Sequence, residues 1–144
     1  MKTKQFNWKK TLLATLLIIG GTTATFAQCD KEVTLTASTT TYLNAKGEVE
    51  RTVNEETIIS ISKTQITIVP GDHDPTSGNV KTFVCNWKVP FKEGKSVITG
   101  LLVDGGHEMN ATITVEGKDG KVTLTFEAAE MPGKKIRVVA DKFE

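Results

Sequence analysis

Apolar and polar residues alternate along most of the chain after residue 27, and this period of two constrains the fold more than any other feature. In "NATITVE", residues 110–116, the apolar side chains of Ala111, Ile113 and Val115 are separated by polar residues. The stretch "KVTLTFE", residues 121–127, repeats the pattern. Successive side chains of a strand point to opposite faces of a sheet, whereas a helix would space its apolar residues three or four apart. Because helical spacing is nearly absent, the sequence predicts an all-β domain.

Turn residues divide this pattern into about eight or nine short strands. Asn44 and Gly47 indicate one hairpin turn, and the Asp119-Gly120 dipeptide indicates another. Pro70 ends a strand because it cannot donate to a ladder, and Gly100 inside an apolar stretch predicts a bulge or bend. Most links are short enough for hairpins, so the prediction is an antiparallel meander. Closure into an up-and-down barrel is favoured because it removes exposed edges, and a β-sandwich is the second expectation.

In its strand count and hairpin spacing, the chain resembles the small lipocalin-like barrels that Gram-negative bacteria export. The resemblance covers most of residues 28–144. It implies a single up-and-down barrel whose interior could hold a small apolar ligand.

The first 27 residues have the composition of a secretory signal. Four lysines come first, residues 11–20 form a short apolar run, and small residues precede Ala27. We expect cleavage near Ala27, a single domain over residues 28–144 with no transmembrane span, and a periplasmic or secreted location. The four lysines account for the slightly basic charge of the whole chain, so residues 28–144 carry 14 basic and 17 acidic residues. A mildly acidic surface of mixed charges does not favour nucleic acid as a partner.

Cys29, just beyond the expected cleavage site, has three possible fates. It could form a disulfide with Cys85, as pairs of cysteines in exported chains commonly do. It could instead carry a lipid anchor, although Gln28 stands where a lipobox has a small residue. In the third reading, Cys29 lies unpaired in a frayed terminus and Cys85 is simply a small buried residue.

Large apolar residues on the alternating strands are candidates for the interior of the barrel. They either fill it as a core or line a cavity for a small apolar ligand. The six residues on which we base the ligand-binding hypothesis are Phe83, Trp87, Met109, Ile113, Leu124 and Phe126.

Two loop-like stretches carry residues that could bind a metal ion. Asp72, His73 and Asp74 lie in "PGDHDPTSGN", and His107 follows a Gly-Gly pair. If the two loops meet, these side chains could hold a metal, but the simpler interpretation of both stretches is a solvated turn. No serine lies in a nucleophile elbow, and no two carboxylates stand out as a catalytic pair.

The sequence therefore predicts an exported protein without catalytic activity and without a cofactor. Its first hypothetical function is binding of a small apolar ligand. The second is an interaction module, built as a β-sandwich, that docks another envelope protein. A metal-dependent enzyme using His73 and His107 is a third hypothesis.

Overall fold

The computed structural model describes residues 28–144, so the predicted signal segment lies outside the described residues. Within the described part, nine strands follow one another along the chain. They are β1 (Val33–Leu43), β2 (Val49–Ile61), β3 (Gln65–Pro70), β4 (Thr76–Val89), β5 (Glu93–Asp104), β6 (His107–Lys118), β7 (Lys121–Ala128), β8 (Lys135–Val139) and β9 (Lys142–Phe143).

The strands form an antiparallel up-and-down barrel of eight strands. Each strand from β1 to β7 pairs with the next one in the chain, and β8 pairs with β1 to close the ring. The short strand β9 continues the line of β8 along β1, since Thr40 pairs with Val138 and Leu35 pairs with Phe143 in one register. The predicted all-β barrel is confirmed, and the chain does not adopt the alternative sandwich.

The irregularity expected at Gly100 lies in the strand opposite it. Val80 pairs with Gly100 and Thr82 pairs with Thr99, so Lys81 is an extra residue in β4. A Cβ atom on Gly100 would come 2.7 Å from the carbonyl oxygen of Asn79, which explains why a glycine is needed there. The bulge shifts the alternation of β4, so that Val80 packs against the core together with Phe83.

The barrel has two unlike ends, which we call the open end and the closed end. The open end carries the β1–β2, β3–β4, β5–β6 and β7–β8 connections, and the closed end carries the remaining hairpins and the residues before β1. At the closed end the ring of Phe143 packs 5.6 Å from that of Trp87 and 5.2 Å from that of Phe91, measured between centroids. These three aromatic side chains fill the closed end of the barrel.

Cys29 and Cys85 form a disulfide that ties the segment before β1 to β4. Beside it, the buried Gln28 accepts a hydrogen bond from the backbone N–H of Phe91 at 2.6 Å. Of the three fates considered for Cys29, the disulfide is confirmed. Because a sulfur in a disulfide has no bond left for a thioether, this state excludes a lipid anchor on Cys29. Disulfides are typical of oxidising compartments, to which secretory signals lead.

Fully buried aliphatic residues from four strands fill the middle of the barrel, among them Leu35, Ile66, Ile98, Ile113 and Val115. Between residues 28 and 144, no helix is long and apolar enough to span a membrane.

Candidate functional site

The interior contains an apolar cavity of about 280 Å³ near the open end. Inward-facing positions of β1, β2, β3, β7 and β8 supply most of its wall. Its main apolar side chains are Ile59, Ile68, Leu124, Phe126, Ile136 and Val138. Since packed protein interiors contain few voids larger than a water molecule, an apolar space of this size is a candidate binding site.

Two methionines from separate parts of the sequence both line the cavity. Met109 belongs to β6, and Met131 belongs to the β7–β8 connection, residues 129–134. Methionine side chains are unbranched and adapt to the shape of a neighbour. This part of the wall can therefore adjust to an occupant.

Two threonines place hydroxyl groups in the apolar wall. The side chains of Thr40 and Thr57 are 3.2 Å apart between their Oγ1 atoms, and these residues are only 5% and 4% exposed. Two hydroxyls carry two hydrogens, and one mutual hydrogen bond uses only one of them. The pair therefore retains hydrogen-bonding capacity inside the cavity.

Charged groups occur at the mouth of the cavity. Glu55 of β2 and Asp104 at the end of β5 contribute to the lining. Tyr42 also lines the cavity, and the guanidinium carbon of Arg51 lies 3.9 Å from the centre of its ring. The arrangement combines an apolar interior with a polar rim.

Three of the six residues predicted to bind an apolar ligand line this cavity, namely Met109, Leu124 and Phe126. The other three lie elsewhere. Ile113 is fully buried in the core, and Trp87 is buried at the closed end. Phe83 lines only a narrow gap next to the disulfide, where Gln28 and Cys85 also lie.

Several cavity residues were missed by the sequence analysis. Tyr42 and Ile68 lie on strands that the analysis recognised but did not connect to the site. In the sequence, the connection that contains Met131 looks like an ordinary turn. Met131 takes part in that turn, because its N–H donates to the carbonyl of Ala128 at 3.1 Å. The one available signal was a large apolar side chain in a connection whose other residues are small, turn-forming or charged.

The residues considered for a metal site all lie at the open end. Asp72, His73 and Asp74 form the β3–β4 turn, in which the N–H of His73 donates to the carbonyl of Pro70 at 2.9 Å. His107 begins β6 and pairs with Asp104 across the hairpin. Across residues 28–144, no group of three or more His, Cys, Asp and Glu side chains is arranged to hold a metal ion.

A second depression lies on the outer face of the barrel. It has a volume of about 520 Å³, and its lining includes Thr99, Thr112, Glu127, Lys81 and residues 131–134. Although this groove is larger than the interior cavity, it is broadly open to solvent and more polar. A small ligand there would keep much of its surface in water, so the interior cavity is the better site for a small molecule.

Hydrogen bonds attach the β7–β8 connection to β6 beside this groove. The carboxylate of Glu130 accepts the backbone N–H of Asn110, with oxygens at 2.9 and 3.0 Å, and the side-chain N–H of the same residue at 2.9 Å. These hydrogen bonds lower the pKa of Glu130 from its ordinary value, and the bond from the backbone N–H of Asn110 has the largest effect. Lys81 donates to the Oδ1 atom of Asn110 at 2.9 Å. The contacts fix the connection that places Met131 against the cavity.

Comparisons with protein-family models, with curated protein sequences and with solved structures found no significant match to this chain.

Proposed function

We propose that this protein is a lipocalin-like binding protein that takes a compact, mainly apolar molecule into the cavity near its open end. The observation that carries the proposal is the apolar cavity of about 280 Å³ in a barrel whose other half is densely filled. We further propose that the protein is exported after cleavage near Ala27 and acts in the periplasm or outside the cell, without catalysis.

The size of the cavity limits the occupant. Pockets for drug-sized ligands are typically about 300 to 1,000 Å³, so this cavity suits a smaller molecule. Burial of each methylene group contributes about 0.8 kcal/mol, which corresponds to roughly a fourfold gain in affinity. In a series of linear alcohols, affinity should therefore rise by about this factor per carbon and then stop rising once the cavity is full. Adsorption to an outer surface would show no such limit.

Methionine methyl groups provide a direct readout of binding. The chain has three methionines, and two of them, Met109 and Met131, line the cavity. With ¹³C-methyl-labelled methionine, titration with octan-1-ol should shift both resonances in a saturable manner. If neither resonance moves at millimolar octan-1-ol, the proposal is wrong.

Two tryptophan substitutions in β3 test whether the ligand binds inside or outside the barrel. Ile68→Trp adds bulk to the cavity wall and should weaken octanol binding at least tenfold, as measured by the same titration. Thr67→Trp places the same ring on the neighbouring residue of the strand, which is not part of the cavity wall. It should bind octanol like the wild type. If both variants bind octan-1-ol with equal affinity, the ligand does not bind in the interior cavity.

Docking of another envelope protein on the outer groove is a second candidate function. The observation in its favour is the larger groove of about 520 Å³ beside the attached β7–β8 connection. Crosslinking in envelope extract with a photoreactive residue at Thr112 should then yield a defined adduct, and Lys81→Glu should remove it. A photoreactive residue at Thr34, on the far side of the barrel, is the control.

A further inference from the structure

We propose that the occupant of the cavity carries a protonated amine, which lies at the mouth between Glu55 and Asp104 while its apolar body points inward. The inference rests on the proposed function and adds the chemical class of the ligand. Among the described residues that line the cavity, these two carboxylates are the only charged side chains.

The side chain of Glu55 faces the cavity and lies close to the β3–β4 turn. Glu55 lies on the same side of β2 as the buried Thr57 and Ile59, so its side chain lines the cavity rather than the outer surface. A Cβ atom on Gly71 would lie 3.2 Å from the Oε2 atom of Glu55, which shows how closely the β3–β4 turn approaches this carboxylate. The N–H of Gly71 in turn donates to the carbonyl of the next residue, Glu56, at 2.6 Å.

Asp104 supplies the second carboxylate from another part of the rim. It is the last residue of β5, two positions after the buried Leu102, and therefore continues the inward-facing row of that strand. Its position at the strand end leaves it exposed to solvent. The two carboxylates thus reach the mouth from β2 and β5, which are separated in the sheet by β3 and β4.

The polarity of the interior determines which end of an amphipathic ligand enters the cavity. Below the rim the polar groups described above are the hydroxyls of Thr40 and Thr57, which are neutral and nearly inaccessible to water. A charged group placed there would lose its hydration without a counter-charge, whereas an alkyl or aryl group would not. The charged end of an amphipathic ligand therefore stays at the mouth.

Cationic groups near the rim do not cancel the two carboxylates. The guanidinium of Arg51 stacks on the ring of Tyr42, and within residues 28–144 no ion pair joins it to Glu55 or Asp104. An ammonium group at the mouth would be attracted by the two carboxylates, and an anionic group would be repelled by them.

Three probes of equal chain length test the proposal: octan-1-amine, octan-1-ol and octanoate. The amine is protonated at neutral pH, as a lysine side chain is. Titrations followed by the methionine methyl resonances of the purified protein should rank the affinities as amine, alcohol and octanoate. We expect a difference of about tenfold between amine and octanoate, which added salt reduces.

The variant Glu55→Gln/Asp104→Asn should abolish the difference in affinity between octan-1-amine and octanoate. Glu56→Gln, next to Glu55 but exposed on the outer face, should keep the wild-type order. If octan-1-ol binds but octan-1-amine does not bind more tightly than octanoate, the amine proposal is wrong and the proposed function stands. The same conclusion follows if the double variant still prefers the amine. If none of the three probes binds, both are wrong.

Discussion

Trp87 donates its indole N–H to the hydroxyl of Ser96 at 2.8 Å, and both side chains are buried. The hydrogen bond satisfies the polar edge of the ring at the closed end. Removing the hydroxyl by Ser96→Ala would leave a buried N–H without its partner, which typically costs about 1–3 kcal/mol. We expect the free energy of unfolding, measured by urea denaturation, to fall by about this amount.

Ser38→Ala is the matched control, because Ser38 is exposed on β1. Its unfolding free energy should stay within about 0.5 kcal/mol of the wild type. An equal effect of the two substitutions would mean that loss of a strand serine, rather than loss of the indole hydrogen bond, destabilises the protein.

The disulfide between Cys29 and Cys85 is expected to be a major source of stability. It joins residues 56 positions apart, for which the chain-entropy model gives about 4 kcal/mol. Reduction with dithiothreitol should therefore lower the melting temperature strongly. Cys29→Ala/Cys85→Ala should melt near the reduced wild type and not respond to the reductant. A melting temperature that is independent of reductant in the wild type would contradict this expectation.

Ile113 and Met109 lie on the same strand but in different environments. Alanine substitutions should therefore distinguish a core residue from a residue that lines the cavity. Ile113 is fully buried in the core, so Ile113→Ala should lower the free energy of unfolding by about 2–5 kcal/mol. Met109 is only half-buried and borders an existing cavity, so the loss in Met109→Ala should be smaller. Ligand affinity, measured with the Met131 methyl resonance, should change more in Met109→Ala.

The contact between Glu130 and Asn110 predicts a dependence of stability on pH. Hydrogen bonds from Asn110 favour the ionised carboxylate, so the pKa of Glu130 in the folded protein lies below the ordinary value of 4.5. Its stabilising contribution is then present above about pH 4.5 and is lost as the pH falls through the lowered pKa. In Glu130→Gln, urea midpoints should fall less steeply with acidification over this range.

Direct titration of the Glu130 carboxyl carbon by NMR provides the complementary measurement. Asn110→Ala removes the side-chain donor and keeps the backbone one, so the pKa of Glu130 should rise part of the way to its ordinary value. An unchanged pKa in that variant would show that the side chain of Asn110 does not stabilise the carboxylate.

The alternation of apolar residues predicted the strands, because a period of two depends only on neighbouring residues. The short links between the strands then favoured a meander closed into a barrel. The alternation could not predict that Val80 faces the core, since the extra residue Lys81 in β4 reverses the alternation there. Nor could it predict the partner of Trp87. The approach of Ser96 follows from the register in which Cys85 lies opposite it, and register is set by pairing over the whole hairpin.

The candidate site was predicted only in part for a related reason. Met109, Leu124 and Phe126 line the cavity, whereas Ile113 has the same polarity and periodicity but lies deeper in the barrel. Depth along the barrel axis depends on how neighbouring strands are staggered, which a single sequence does not show. Met131 reaches the cavity from a turn, where alternation carries no information, and Tyr42 lies on a recognised strand that no sequence feature connects to the site.

The pairing of β1 with β8 and β9 has a consequence for biosynthesis. Thr34 exchanges backbone hydrogen bonds with Glu144, and Leu35 pairs with Phe143, so the first strand finds its final partner only when the last residues are available. Contacts between residues so distant in sequence form slowly. We therefore expect the ring to stay incomplete while the ribosome is still adding residues 135–144. Under the proposed export, a chain whose ring is still incomplete would be easier to thread through a narrow translocation channel than the closed barrel.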